Sequence, residues 1–115
     1  MNDRRVDPRL LCADLVEIEY KDRTGRRRVE AVNLEDISHT GACLQMEIPV
    51  AAGTPVQIKH GKGLLAGRVR YCVFREIGYF VGVEFDSGNK WSQKHFRPMH
   101  LLDPRRLAPR NSPKA

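Results

Sequence analysis

The sequence has no run of apolar residues long enough to cross a lipid bilayer, so a membrane-spanning helix is not expected. Its first ten residues, MNDRRVDPRL, also lack the apolar centre of a secretory signal peptide, and export is therefore not expected. Apolar residues make up 41% of the chain and charged residues 30%, which is typical of an ordinary globular domain. We expect a cytoplasmic protein without a membrane span.

Cysteine is also scarce, and the three cysteines are odd in number and widely spaced: Cys12, Cys43 and Cys72. Because no CxxC pair occurs, they are interpreted as small apolar residues in a reducing compartment, outside any disulfide framework. The four histidines lack the spacing of metal ligands. No pattern supports a Cys–His catalytic dyad either. We therefore expect no metal site.

The positive charge of the chain is concentrated at one end. The formal net charge is +6, and residues 105–115 hold four of the 20 basic residues and none of the 14 acidic ones. These residues contribute +4, which leaves only +2 for the rest of the chain. A duplex-binding protein usually carries a basic patch on its folded body, so duplex nucleic acid is not an expected partner. Residues 104–115 are predicted to form a disordered basic tail.

Six short segments alternate apolar and polar residues, which is the pattern of strands with one buried face. Most are joined by turns that contain glycine. In the second segment the alternation changes phase between Ala31 and Val32, which predicts a β-bulge there. In the fifth, Tyr71 has the phase of the buried aliphatic residues. The pattern predicts an all-β fold, a six-stranded antiparallel β-barrel, because closure of the sheet removes its exposed edges.

The chain divides into three parts. Residues 1–12 are predicted to form an N-terminal arm, because Pro8 disfavours helical geometry just before it and no apolar periodicity occurs. Residues 13–103 are predicted to form the barrel, and 104–115 the tail. Within the barrel domain, residues 90–102 are predicted to form a short C-terminal helix that Pro98 interrupts. Its candidates for packing against the barrel are Trp91, Phe96 and Leu101.

The segment DISHTG lies between the second and third alternating segments. Asp36 and Ser38 can bond the backbone of their own loop and Gly41 can adopt a positive φ, so a hairpin turn is predicted. Upstream, the segment RVDPR places Arg5 and Arg9 before the first strand. Two other RxxxR pairs lie in the first hairpin turn and in the tail. In this order and at this separation, RVDPR and DISHTG resemble the paired RxxxR and [D/N]xSxxG motifs of the PilZ domain family.

The resemblance extends from about residue 4 to residue 103. It implies a PilZ-type barrel that acts as a receptor for cyclic di-GMP, and not an enzyme, with no resident cofactor. In the family the arginines lie on an arm that folds over the ligand, and Arg5 and Arg9 match them. Guanidinium groups suit phosphate oxygens and the O6/N7 edge of guanine. The carboxylate of Asp36 can accept from guanine N1–H and N2–H₂, and Ser38 can add a hydrogen bond. Gly41 would let the backbone turn beneath the base.

The additional arginine at Arg4 resembles family members that take up two stacked ligand molecules per chain. A solvated surface charge is the alternative. Ordering of the arm on ligand binding is expected to signal to a downstream protein whose identity the sequence does not give. The predicted ligand-binding residues are Arg4, Arg5, Arg9, Asp36, Ser38 and Gly41.

Three other functions remain open. The first is a PilZ-like module that works through protein contacts alone. The second is a single-strand nucleic-acid binder, which needs aromatic side chains on its strand faces for base stacking. Only Phe74 and Phe80 have the exposed phase that such a surface requires. The third is a flavin-type enzyme on a split barrel, an architecture that the PilZ fold resembles.

Overall fold

The computed structural model describes residues 7–104, and these form a closed barrel of six antiparallel strands. The strands are β1 (Leu10–Lys21), β2 (Arg27–Ile37), β3 (Gly41–Met46), β4 (Pro55–His60), β5 (Gly63–Arg75) and β6 (Gly78–Phe85). They are hydrogen-bonded in the order β1-β2-β3-β6-β5-β4, and β4 closes the barrel on β1. The predicted all-β class and the six-stranded antiparallel barrel are confirmed. None of the described residues lies in a helix able to span a membrane.

The interior of the barrel follows from the period-two alternation, because one face of every strand contributes apolar side chains to a single core. The most completely buried large side chains are Ile18, Leu34, Ile37, Leu44, Ile58, Leu65 and Val81. They come from all six strands, so the core cannot form until the sheet closes. β1 begins at Leu10, so residues 10–12 belong to this strand and not to the arm.

The bulge predicted between Ala31 and Val32 is wrong, because the pairing of β2 with β1 continues through both residues without a shift. The register of β2 against β3 shifts instead between Leu34 and Asp36, which makes Glu35 the extra residue. Ala31 is apolar but lies on the outer surface, and this accounts for the false change of phase in the sequence. The true bulge turns Ile37 into the core.

A second irregularity lies in β5, where Val69 pairs with Val83 and Tyr71 pairs with Gly82. Arg70 is therefore an extra residue, and the phase of the strand changes there. Val69 is buried, but Tyr71 is 41% exposed. The prediction that Tyr71 shares the phase of the buried residues is wrong, because the bulge moves the tyrosine to the outer face.

The predicted short helix over residues 90–102 is absent, and turns replace it. The Trp91 indole N–H donates to the carbonyl of Phe96 at 2.9 Å, so this carbonyl has a side-chain partner. Pro98 has no N–H to continue a helical ladder. The segment crosses one end of the barrel, and Leu102 pairs with Leu11 of β1. Trp91 and Phe96 are buried as predicted.

Candidate functional site

The turn between β2 and β3 is held by the side chain of Ser38. Its Oγ accepts hydrogen bonds from the backbone N–H of Gly41 at 3.2 Å and of Thr40 at 3.4 Å. The backbone N–H of Ser38 also donates to the carbonyl of Gly41 at 2.8 Å. The predicted hairpin turn is present and Ser38 stabilises it as expected, whereas Asp36 contacts Arg9. Ser38 is itself buried, so its hydroxyl supports the loop from beneath.

Gly41 has a different role from the expected one, because its φ is not positive. A Cβ atom at this position would lie 2.6 Å from the carbonyl oxygen of Val83 on the neighbouring strand β6. Real Cβ atoms do not approach backbone oxygen so closely, so the backbones of β3 and β6 can meet here only around a glycine. Gly41 therefore allows β3 and β6 to approach each other closely beside the turn.

Asp7 connects the N-terminal arm to this turn. Its carboxylate accepts from the backbone N–H of His39 at 2.8 Å, from Ser38 Oγ at 3.0 Å and from Thr40 Oγ1. Hydrogen bonds to a carboxylate are stronger than those between neutral groups. Sequence analysis missed this residue, since its donors lie more than 30 positions away. The only signal was an acidic residue between the two arginines of RVDPR.

The arm continues from Asp7 to Arg9, which lies against Asp36. Arg9 Nε is 3.5 Å from Asp36 Oδ1, and the side chains are 60% and 15% exposed, respectively. Burial raises the pKa of the Asp36 carboxyl, the charge of Arg9 opposes this rise, and the charge of Glu35 adds to it. Asp36 Oδ1 has no hydrogen-bond partner among the residues that the structure describes. The site therefore contains a buried acceptor beside a largely exposed cation.

An exposed aromatic ring lies next to this pair. Asp36, Cys43, Gly82 and Tyr71 are successive cross-strand neighbours on β2, β3, β6 and β5. The Tyr71 ring lies across Gly82, where a Cβ atom would come within 2.1 Å of it. Burial raises the pKa of the Cys43 thiol, and a hydrogen bond with Tyr71 opposes this rise. The bulge at Arg70 and the glycine opposite together place an aromatic surface beside the acid.

Asp7, Arg9, Ser38 and Tyr71 line a common groove of about 460 Å³, and Asp36 lies beside it in contact with Arg9. Its polar and aromatic lining comprises Asp7, Arg9, Ser38, Thr40, Arg70, Tyr71 and Glu84. A larger groove of about 670 Å³ lies between the β1–β2 turn and residues 48–54, and it contains none of the motif residues. We regard the smaller groove as the candidate site, because the polar and charged groups converge there. Its volume lies within the range of small-molecule sites.

The structure brings four of the predicted site residues together: Arg9, Asp36, Ser38 and Gly41. Arg4 and Arg5 lie outside the described residues, so their assignments stay predictions. Asp7, Tyr71 and Gly82 are the additional residues that the site contains. No group of His, Cys, Asp and Glu within residues 7–104 has an arrangement that could hold a metal ion.

Comparison with known proteins does not assign the chain to a family. No protein-family model matches it, and no curated protein matches it. A proposal for its function therefore rests on the motif resemblance and on the geometry of the groove.

Replacing Asp7 by alanine should release the arm from the turn. Because three donors lose a charged acceptor, the amide of His39 should exchange its hydrogen about 10 to 100 times faster, equivalent to about 1.5–3 kcal/mol. Hydrogen exchange followed by NMR measures this rate. Asp22→Ala is the matched control, because Asp22 accepts from Thr24 N–H, Thr24 Oγ1 and Arg26 N–H in the other turn. Unchanged exchange at His39 in Asp7→Ala would contradict the anchoring role.

Proposed function

We propose that this chain is a receptor of the PilZ type for cyclic di-GMP, a bacterial second messenger. The observation that carries the proposal is the contact of Asp7 with the turn at residues 38–40, which holds one motif against the other. The pairing of Leu10 with Ile37 and of Leu11 with Asp36 also brings Arg9 of the first motif to 3.5 Å from Asp36 of the second, at the edge of a groove. Two motifs that are distant in sequence thus form one surface.

The chemistry of the groove suits a molecule with two phosphates and two guanines. Arg9 is largely exposed and can exchange its contact with Asp36 for a phosphate or for the O6/N7 edge of guanine. Oδ1 of Asp36, which accepts no hydrogen bond from a described residue, would be an acceptor for guanine N1–H or N2–H₂ once Arg9 turns to the ligand. Tyr71 offers a ring on which a base can stack. Ser38 acts mainly through the loop, because its hydroxyl already bonds Asp7 and the turn.

The proposal assigns Arg5 a role equivalent to that of Arg9, as a second guanidinium for phosphate or guanine. Ligand binding would then order the N-terminal arm over the groove and present a new surface to a downstream protein. The arm starts from a defined position, because Asp7 already fixes its end to the barrel. The proposed role is that of a binding protein, without catalytic residues.

One observation bears on the single-strand nucleic-acid alternative. Tyr71 and Phe74 are both exposed aromatics on β5, which adds a ring to those counted in the sequence. Three positions apart on a strand, they face opposite sides of the sheet. They do not form the continuous stacking platform that a single strand requires. The cyclic dinucleotide, which needs only one groove, therefore agrees better with the geometry.

Arg9→Ala should weaken cyclic di-GMP binding by about 30-fold or more, because truncating one side of a charged contact costs about 2–5 kcal/mol. Arg5→Ala should behave in the same way. Isothermal titration calorimetry measures both, with GTP and cyclic di-AMP as competing ligands. Arg23→Ala, in an RxxxR pair outside the site, is the control and should bind normally. Wild-type affinity in both Arg5→Ala and Arg9→Ala would contradict the assignment.

Binding should also weaken in acid through Asp36. The ionised carboxylate is the form that accepts from guanine, and burial raises its pKa, so protonation begins at higher pH than for an ordinary aspartate. The affinity of the wild type should therefore fall as the pH drops through this raised pKa. Asp36→Asn should bind more weakly at neutral pH but lose no further affinity through this group. The same pH profile in both proteins, measured by calorimetry, would refute the role of Asp36.

Arg4 should determine the number of ligand molecules. With Arg5 and Arg9 it gives three guanidinium groups, more than the two phosphates of one ligand require. A second, base-stacked molecule would supply further phosphates, so we expect two cyclic di-GMP molecules per wild-type chain and about one for Arg4→Leu. The calorimetric stoichiometry measures this. A ratio of one in both proteins would show that Arg4 is a solvated charge.

A further inference from the structure

The end of β5 has an edge that is open for pairing. β4 pairs with β5 only along Gly63–Arg68, and Val69 then exchanges hydrogen bonds with the loop residues Gly53 and Thr54. Residues 71–75 pair with β6 on one side, and no described residue pairs with their other side. Alternate backbone N–H and C=O groups of an edge strand point outward and can accept a further strand.

The β5–β6 hairpin, to which this edge belongs, carries the most exposed apolar side chains of this part of the barrel. Val73 is 41% exposed, Phe74 61% and Ile77 72%. Natural proteins usually protect such an edge with lysine, proline or a bulge that turns it away. Residues 71–75 contain one charged residue, Arg75, and no proline. The bulge at Arg70 lies before these residues, so the apolar edge at residues 71–75 stays accessible, and such an edge marks a pairing site.

We propose that a second copy of this chain covers the edge by antiparallel pairing of residues 70–76 about a twofold axis at Val73. In such a pair Val73 lies opposite its own copy. Arg70 then lies opposite Glu76 of the partner, and Tyr71 opposite Arg75 of the partner. Each dimer thus gains two ion pairs and two cation–π contacts. The sequence RYCVFRE is complementary to itself in this one register, and this is why a second copy fits.

The side chains needed for the new contacts are exposed. Arg70 contacts Glu84 at 3.3 Å, but both side chains are mostly exposed, and such a surface pair contributes little to stability. Arg75 lies 5.6 Å from the centre of the Phe80 ring on its own chain, a cation–π contact that it would exchange for the ring of the partner's Tyr71. The basic segment at residues 105–115 is a poorer occupant, because it has two prolines and would meet arginine with arginine.

The proposed dimer does not require cyclic di-GMP, so the experiment is done on the full chain without nucleotide. Sedimentation velocity over a concentration series should show a dimer for the wild type. Val73→Lys should be monomeric, because it places two lysines directly opposite each other across the axis. Leu64→Lys is the matched control, since Leu64 is 45% exposed on the same strand but outside the edge. It should dimerise normally. Circular dichroism verifies that both variants are folded.

A charge exchange tests the twofold axis itself. Val73→Glu should also be monomeric alone, whereas an equimolar mixture of Val73→Lys and Val73→Glu should form a heterodimer, because lysine then faces glutamate. A wild type that stays monomeric at millimolar concentration would overturn the proposal and leave the edge to a different chain. A dimer that persists in Val73→Lys, or a mixture that stays monomeric, would overturn it as well.

Discussion

The carboxylate of Asp7 is the contact on which the candidate site depends. One ionised group accepts from a backbone N–H and two hydroxyls of the turn, so it both caps the loop and ties the arm to the barrel. Two residues later Arg9 reaches Asp36, where β1 begins to pair with β2. The turn is the natural partner for an acid, since its backbone N–H groups and hydroxyls are donors without a carboxylate of their own.

Two bulges create the rest of the site. In a regular strand, successive side chains point alternately to the core and to the outer surface along its whole length. The extra residues Glu35 and Arg70 break this rule on β2 and β5. The first turns Ile37 inward and leaves Asp36 next to Arg9, and the second brings Tyr71 outward over Gly82. Bulges that redirect a side chain are common beside functional sites.

Much of the fold could be predicted from the sequence, because each strand carries a local alternation and closure explains how six of them bury one face. The turn could be predicted because Ser38 bonds within its own loop. The contacts of Asp7 could not, since its donors are distant in sequence and nothing local distinguishes it from a solvated acid. Tyr71 was misplaced for a related reason. The residues before it alternate without interruption, and the bulge arises from pairing with β6, which only the folded barrel contains.

The groove and the open edge share two residues, and this sharing has a thermodynamic consequence. Arg70 and Tyr71 line the groove, and they are also the residues that the twofold pairing places opposite Glu76 and Arg75 of a second copy. An arginine held by a ligand phosphate is less available to the partner's glutamate, whereas a tyrosine ordered by a stacked base is already fixed for pairing. The first effect would weaken the proposed dimer and the second would strengthen it. Their sum is a coupling free energy, and by linkage the factor by which ligand changes dimer affinity equals the factor by which dimerisation changes ligand affinity.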